Sequence, residues 1–322
     1  MANFITMGEP LVVFASQDSD ISLDKSLHFQ KFLAGAELNV AIGMHRLGHE
    51  TMYVSKVGDD ILGKFIVDSI KEIGLDSSNL LIDNQFFTGF YFKQKVSKGD
   101  PKVYYYRKNS AASNIHSKEI DPSKIKEVKV AHLTGIMAAL SETSLQTLKD
   151  FNEELNAHQI LTIFDPNLRP ALWESTEKMI NVTNDLARKS AIVLPGINEG
   201  KILMGSSDPE KIADFYLNQS KLTHTVIVKL GAEGAFVKLQ SGENYYVPGF
   251  EVQEVVDTVG AGDGFAVGLE SALLEGKPLN VAVHRACAIG ALAVQSAGDS
   301  EGYPNRKQLS EFYNRQNYQG DL

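Results

Sequence analysis

The chain has 322 residues and a formal charge of −9, with 43% apolar and 22% charged residues. This is the composition of a globular protein with a sizeable core, and its acidity argues against nucleic acid or an anionic membrane as partner, since both call for a basic face. One cysteine, Cys287, excludes an intrachain disulfide, and the opening MANFITMGEP lacks the basic start and apolar run of a leader. No stretch reaches the roughly 18 apolar residues of a membrane span, so a soluble, cytoplasmic protein is expected.

In chain order, strand-sized apolar runs alternate with helical patterns. The runs are FITM (4–7), TMYVSKV (51–57), VKVAHLTG (128–135), ILTIFD (160–165), AIVLPG (191–196), THTVIVKLG (223–231) and GAFVKLQ (234–240). After the first, Val40, Met44 and Leu47 recur at helical spacing. After the second, Phe65, Ile66, Ile70 and Ile73 form a stripe, and Gly48, Gly74 and Gly276 stand where helices end. Repeated βα units predict a single α/β domain over 1–322 with a mostly parallel sheet between helical layers. Residues 9–33 and 85–110 break this rhythm. The second stretch contains GFYFKQKVSKGDPKVYYYRKN, a hairpin pattern turning at KGDP, and the two together predict a small β lid of antiparallel pieces.

Beyond a strand-like run at Tyr245, Tyr246 and Val247 comes DTVGAGD, 257–263, at the start of a helix marked by Phe265, Leu269, Ala272 and Leu273. Small residues at Gly260, Ala261 and Gly262 leave backbone amides uncovered at a helix N-terminus, a setting that favours an anion. Asp263, in the first turn, could cap that helix. It could instead take a proton from a hydroxyl that attacks a phosphoryl group held at the amides.

DTVGAGDGFAVG, 257–268, resembles the C-terminal signature of the ribokinase-like (PfkB) family of sugar kinases. AGAELNVAIGMHRLG, with Gly58 following, resembles its N-terminal signature: Gly35, Asn39, Gly48 and Gly58 match, while Ala34 and Glu37 depart from it. The resemblance implies a three-layer ribokinase-like α/β sandwich with a β lid, and transfer of the γ-phosphoryl of ATP to a sugar hydroxyl. Asp263 would be the base and the amides of Gly260, Ala261, Gly262 and Asp263 would hold the transferring group. VIVKLGAEGAFV, 226–237, matches the family's glycine turn beside the nucleotide, which implies Lys229, Gly231, Glu233 and Gly234 as ATP neighbours, with Asn167 in reach of the same side. The family's Asn-x-x-Glu for magnesium is altered here to Asn198-Glu199-Gly200-Lys201, so Glu199 is the residue left for Mg2+. His45 and His116 have no ligand spacing, and His132 reads as a core histidine.

Neutral sugars need no paired arginines. Here Arg107 falls on the lid stretch and Arg169 at the end of a sheet strand, and two guanidiniums near one pocket suit a carboxylate. TGFYF (88–92), VYYYRKNSAAS (103–113), FDPNLRPALW (164–173) and GDSEGYP (298–304) resemble the family members that phosphorylate 2-keto-3-deoxygluconate. By that resemblance Gly35, Asn39, Tyr91, Tyr105, Arg107 and Arg169 would contact a sugar acid and Asp299 would lie close by. The alternatives are a kinase of a neutral sugar such as fructose or ribose, and a sugar-binding regulator without activity. A dinucleotide enzyme finds no support, because no GxGxxG follows the first strand. Lids in this family often pair, which implies a possible homo-oligomer.

Overall fold

The computed structural model describes residues 2–99 and 101–321, so Asp100 in the expected KGDP turn lies outside the described residues. Two sheets organise the chain. The larger has nine strands: β1 (Phe4–Met7), β4 (Thr51–Gly58), β5 (Leu80–Asp83), β8 (Val130–Thr134), β9 (Leu161–Asp165), β10 (Ile192–Val193), β11 (Thr225–Lys229), β12 (Gly234–Leu239) and β13 (Asn244–Pro248). Their order is β13-β12-β11-β10-β9-β8-β1-β4-β5, and every pairing is parallel except those of β12 with its two neighbours.

Successive side chains of a strand point to opposite faces, and each apolar run therefore feeds two cores. Phe4, Val130, Ile163, Ile192 and Ile227 face one helical layer, and Ile5, Ala131, Phe164, Val193 and Val226 face the other. The first layer holds α1 (Ala36–Arg46), α8 (Ala261–Leu274), α9 (Leu279–Ala293) and α10 (Arg306–Arg315). The second holds α3 (Gly135–Leu140), α4 (Glu142–Ala157), α5 (Thr176–Ala187), α6 (Ile197–Met204) and α7 (Pro209–Gln219). α2 (Ile61–Ile73) packs Ile66 and Ile70 into a third cluster with Val12, Leu38 and Tyr53. Asp60 starts α2 by accepting from the amides of Leu62 and Gly63, and Gly74 ends it in the left-handed region. Among the described residues no helix is long and apolar enough to cross a membrane.

The smaller sheet, the lid, consists of β2 (Leu11–Ser16), β3 (Phe29–Ala34), β6 (Phe90–Lys93) and β7 (Val103–Tyr106), in the order β3-β2-β6-β7. It is not antiparallel throughout: two hairpins, β2–β3 and β6–β7, meet through a parallel seam between β2 and β6. The parallel seam arises because each hairpin leaves the main sheet in the same direction, after β1 and after β5. β5 was not foreseen, since LLID follows the polar DSSN and is exposed at Ile82, leaving no alternation to read. AIVLPG shrinks to the two residues of β10 because Pro195 carries no amide hydrogen for the ladder.

The C-terminal segment is tied down by charge. Arg285 on α9, buried, donates to both oxygens of Asp321 at 2.7 and 2.6 Å and to Glu275 at 2.8 Å, while the Tyr313 hydroxyl donates to Asp321 at 2.8 Å. An Asp321→Ala variant leaves Arg285 with Glu275 as its one remaining carboxylate. It should lose on the order of 2–3 kcal/mol in a urea melt, short of the full cost of an unpaired buried charge.

Candidate active site

The carboxyl ends of the central strands converge on one place. Glu9 follows β1, Thr134 ends β8, Asp165 ends β9 and Lys229 ends β11. The chain fills one side of β1 with β4 and returns later to fill the other with β8, so strand order reverses there, and α/β sheets hold ligands at such points. A cavity of about 440 Å³ opens under the lid, and its walls include Gly35, Asn39, Tyr91, Tyr105, Arg107, Arg169, Asp263 and Asp299. A second, apolar cavity of about 340 Å³ is walled by Gly231, Gly234, Phe250, Ala261, Phe265 and Val294 among others. Lys229, Thr258 and Gly262 line both, so the two spaces meet at the start of α8.

Gly260 makes that start possible. It sits at φ +78, and a Cβ there would run into the carbonyl oxygen of Asp299. Tyr303 donates its hydroxyl to the Gly260 carbonyl at 2.7 Å. The amides of Gly262 and Asp263 have no acceptor among the described residues, as the first turn of a helix requires, whereas Ala261 reaches the Thr258 carbonyl at 3.4 Å. The row of bare amides is therefore shorter than expected by one, because the turn into the helix occupies that of Ala261.

Asp263 is 8% exposed. Asn39 on α1 donates to its Oδ2 at 2.9 Å and Asn167 to its Oδ1 at 3.2 Å. Burial raises its pKa, and the Asn39 bond and Arg169 only partly oppose this. The result is a carboxylate with neutral partners and an enhanced appetite for a proton. Asn167 lines the first cavity, which also holds Lys229, and gives its amide to Asp263.

Lys229 bonds Asp165 Oδ2 at 2.7 Å. Burial would lower the Lys229 pKa, but Asp165 and Glu199 outweigh it and keep the ammonium charged. Glu199 accepts from the amides of Leu168 and Gly196 at 2.9 and 2.8 Å, and burial pushes its carboxyl upward despite Lys229. Lys201, by contrast, is exposed. Glu233 does not line either cavity; it is exposed, because the turn that places Gly231 and Gly234 against the second cavity directs it outward.

The lid contributes Tyr91 and Tyr105, whose rings meet at 5.2 Å on the cavity side, while Tyr104 and Tyr106 occupy the opposite face. Arg107 is buried and its Nε donates to Glu9 Oε2 at 2.6 Å, leaving its two terminal nitrogens without a protein acceptor among the described residues. Arg169 is exposed on the rim. Glu9 escaped sequence reasoning, although a charged residue directly after a buried strand, in GEP, was a visible signal. Its other oxygen accepts from Ser110, Gly89 lies directly beneath that oxygen, and Gly35 abuts its carbonyl. All four connections between main sheet and lid thus touch Glu9.

Among the described residues no group of three His, Cys, Asp or Glu side chains could cage a metal. Burial, with Asp263 nearby, pushes Asp299 from 3.8 up to about 7. The folded chain therefore keeps this proton to higher pH than the unfolded chain, and stability from this group is lost as pH rises through that interval. An Asp299→Asn variant should gain up to about 4 kcal/mol over the parent at pH 8 and nothing at pH 3, as read by calorimetry.

Comparison with known proteins agrees with this geometry. Residues 6–306 match the pfkB family carbohydrate kinase profile. The 2-dehydro-3-deoxygluconokinase of Bacillus subtilis (strain 168) is 43% identical over 97% of this chain and 95% of its own. The PfkB protein of Polaromonas sp. JS666 superposes with a TM-score of 0.87 at 40% identity, over 96% of this chain and 99% of that one. A protein from E. coli solved in complex with ATP and Mg2+ superposes with a TM-score of 0.88 at 25% identity, over 98% and 100% of the two chains. The chain belongs to the pfkB family of carbohydrate kinases.

Proposed function

We propose that this kinase transfers the γ-phosphoryl of ATP to the terminal hydroxyl of 2-keto-3-deoxygluconate, giving the 6-phosphate. One observation carries the reading: a buried carboxylate with a raised pKa stands where two cavities meet at a helix N-terminus. The polar cavity under the lid takes the sugar acid and the apolar one the adenine end of the nucleotide. The name of the Bacillus subtilis relative, 2-dehydro-3-deoxygluconokinase, supports the choice of sugar.

Asp263 accepts the proton of the attacking hydroxyl as the oxygen closes on phosphorus. Asn39 and Asn167 fix the plane of the carboxylate without neutralising it. The amides of Gly262 and Asp263 face charge on the transferring oxygens, and Lys229, shared by both cavities, faces the phosphates. Arg107 presents its two terminal nitrogens to the carboxylate of the sugar acid, with Tyr91 and Tyr105 against the sugar and Arg169 at the entrance. Asp165 and Glu199 fit a magnesium ion that arrives with the nucleotide, because both carboxyl groups line the cavity beside Lys229 and act together on that one ammonium. An ion held by these residues would supply positive charge against the phosphates, and the absence of a three-carboxylate or histidine cage among the described residues accords with a metal brought in by the nucleotide. We place the reaction in the cytoplasm, where ATP is available; Cys287 is buried with its thiol pushed up to about 12 and takes no part.

The outer face of the lid is read as a contact between copies of the chain. Phe14, Phe90 and Phe92 continue into Tyr104 and Tyr106, which are 54% and 52% exposed. Changing both tyrosines to serine should leave a monomer in sedimentation velocity where the parent sediments as a larger species.

A coupled ADP-release assay tests the substrate: turnover on the keto-acid should exceed that on fructose by at least about 100-fold, and equal rates would remove the assignment. In the same assay Asp263→Asn should lose about 10³-fold or more in kcat with little change in either KM. Arg107→Ala should cost the keto-acid roughly 100-fold in kcat/KM and a neutral sugar far less.

A further inference from the structure

Lys93 ends β6, an interior strand of the lid, and lines the cavities on both sides of that point. Its Nζ lies 3.2 Å from Oδ2 of Asp257, the residue that opens the loop leading into α8. The other oxygen of Asp257 accepts from the Val259 amide at 3.1 Å, and the amides of Val256 and Asp257 donate to the Val294 carbonyl at the end of α9. One side chain thus grips the lid with one oxygen and shapes the loop with the other. Three residues later Gly260 turns the chain into the helix that carries Asp263.

Lys93 is poorly placed to serve the carboxylate of a sugar acid. Asp257 and Asp299 line one of those cavities together with Lys93, so its ammonium already faces carboxylates of the protein. A second anion gains little there, whereas Arg107 stands elsewhere with two nitrogens that meet no protein acceptor among the described residues.

We propose that Lys93 is a positioning residue: its ion pair with Asp257 ties the lid to the loop in front of the catalytic base, so that the loop is set for transfer only beneath a closed lid. The inference rests on the sugar-kinase reading given above, though not on the identity of the sugar. When the lid lifts, Asp257 loses its cation, the loop loses one of its restraints, and water gains access to the phosphoryl group while the amides and base are less well aligned.

The test is a double-mutant cycle on the full chain with Lys93→Met, Asp257→Asn and the pair together. Asparagine keeps an oxygen for the Val259 amide, so the loop turn survives. Each single change should lower kcat about five- to twenty-fold and raise the share of ATP hydrolysed without sugar phosphorylation, and the double variant should be no worse than the weaker single. Losses that multiply, or a hydrolysis share that does not move, would overturn the proposal. Hydrogen exchange on the ligand-free protein reads the same bond without any sugar. The amides of 91–93 and 256–260 should exchange faster in either single variant and no faster still in the double; unchanged exchange would also overturn it. Should the parent phosphorylate a neutral sugar and ignore the keto-acid, the cycle is measured on that sugar. Coupling there supports the tie and sinks only the substrate assignment, whereas additivity there sinks the tie as well.

Discussion

The site depends on keeping one carboxylate out of water with asparagines, and no cation, as its hydrogen-bond partners among the described residues. Asp263 is buried among neutral donors, and a buried carboxylate with an adjacent ammonium would be a poor base because the charge would hold its proton affinity down. Two asparagines satisfy its lone pairs instead, so the desolvation penalty is tempered by hydrogen bonds and the basicity survives. The cations of the site go elsewhere, Lys229 to Asp165 and Arg107 to Glu9. Much of the architecture follows from this. α1 must end its first turn with Asn39 over the strand ends, and the loop after β9 must turn back through Asn167 at a left-handed φ of +42.

The central sheet was legible because its strands are buried on both faces and read as apolar runs, with helical stripes between them. What escaped was β5, a short strand with one wet face, where Ile82 is solvent-facing and leaves no clean period; β10 was read as a run but came out shorter than AIVLPG, which meets Pro195. The lid showed itself as aromatic density in sequence, but its parallel seam depends on how two distant hairpins leave the body, and no local pattern encodes that.

The same division runs through the site. Asp263, Gly260 and Asn39 lie in contiguous motifs, and the structure brings them together at one end of the sheet. Asn167 and Glu9 gain their partners 96 and 98 residues away, which is why the bond of one to Asp263 was not foreseen and the other was passed over. Glu233 was placed by its proximity to two glycines, yet a turn sends adjacent side chains in different directions. The metal residue was the least legible. Magnesium leans on phosphates and water more than on protein, so it leaves only a faint mark in a sequence.

The meeting of all four lid connections at Glu9 has a mechanical corollary. A plate attached at scattered points deforms when pushed, while one whose attachments gather at a single spot swings whole. The outer loops of that plate can then lengthen or change composition without disturbing the axis it swings on. Variation at the rim and constancy at the pivot become separable, and a small β-sheet can be refitted to new sugars while the machinery beneath it stays as it is.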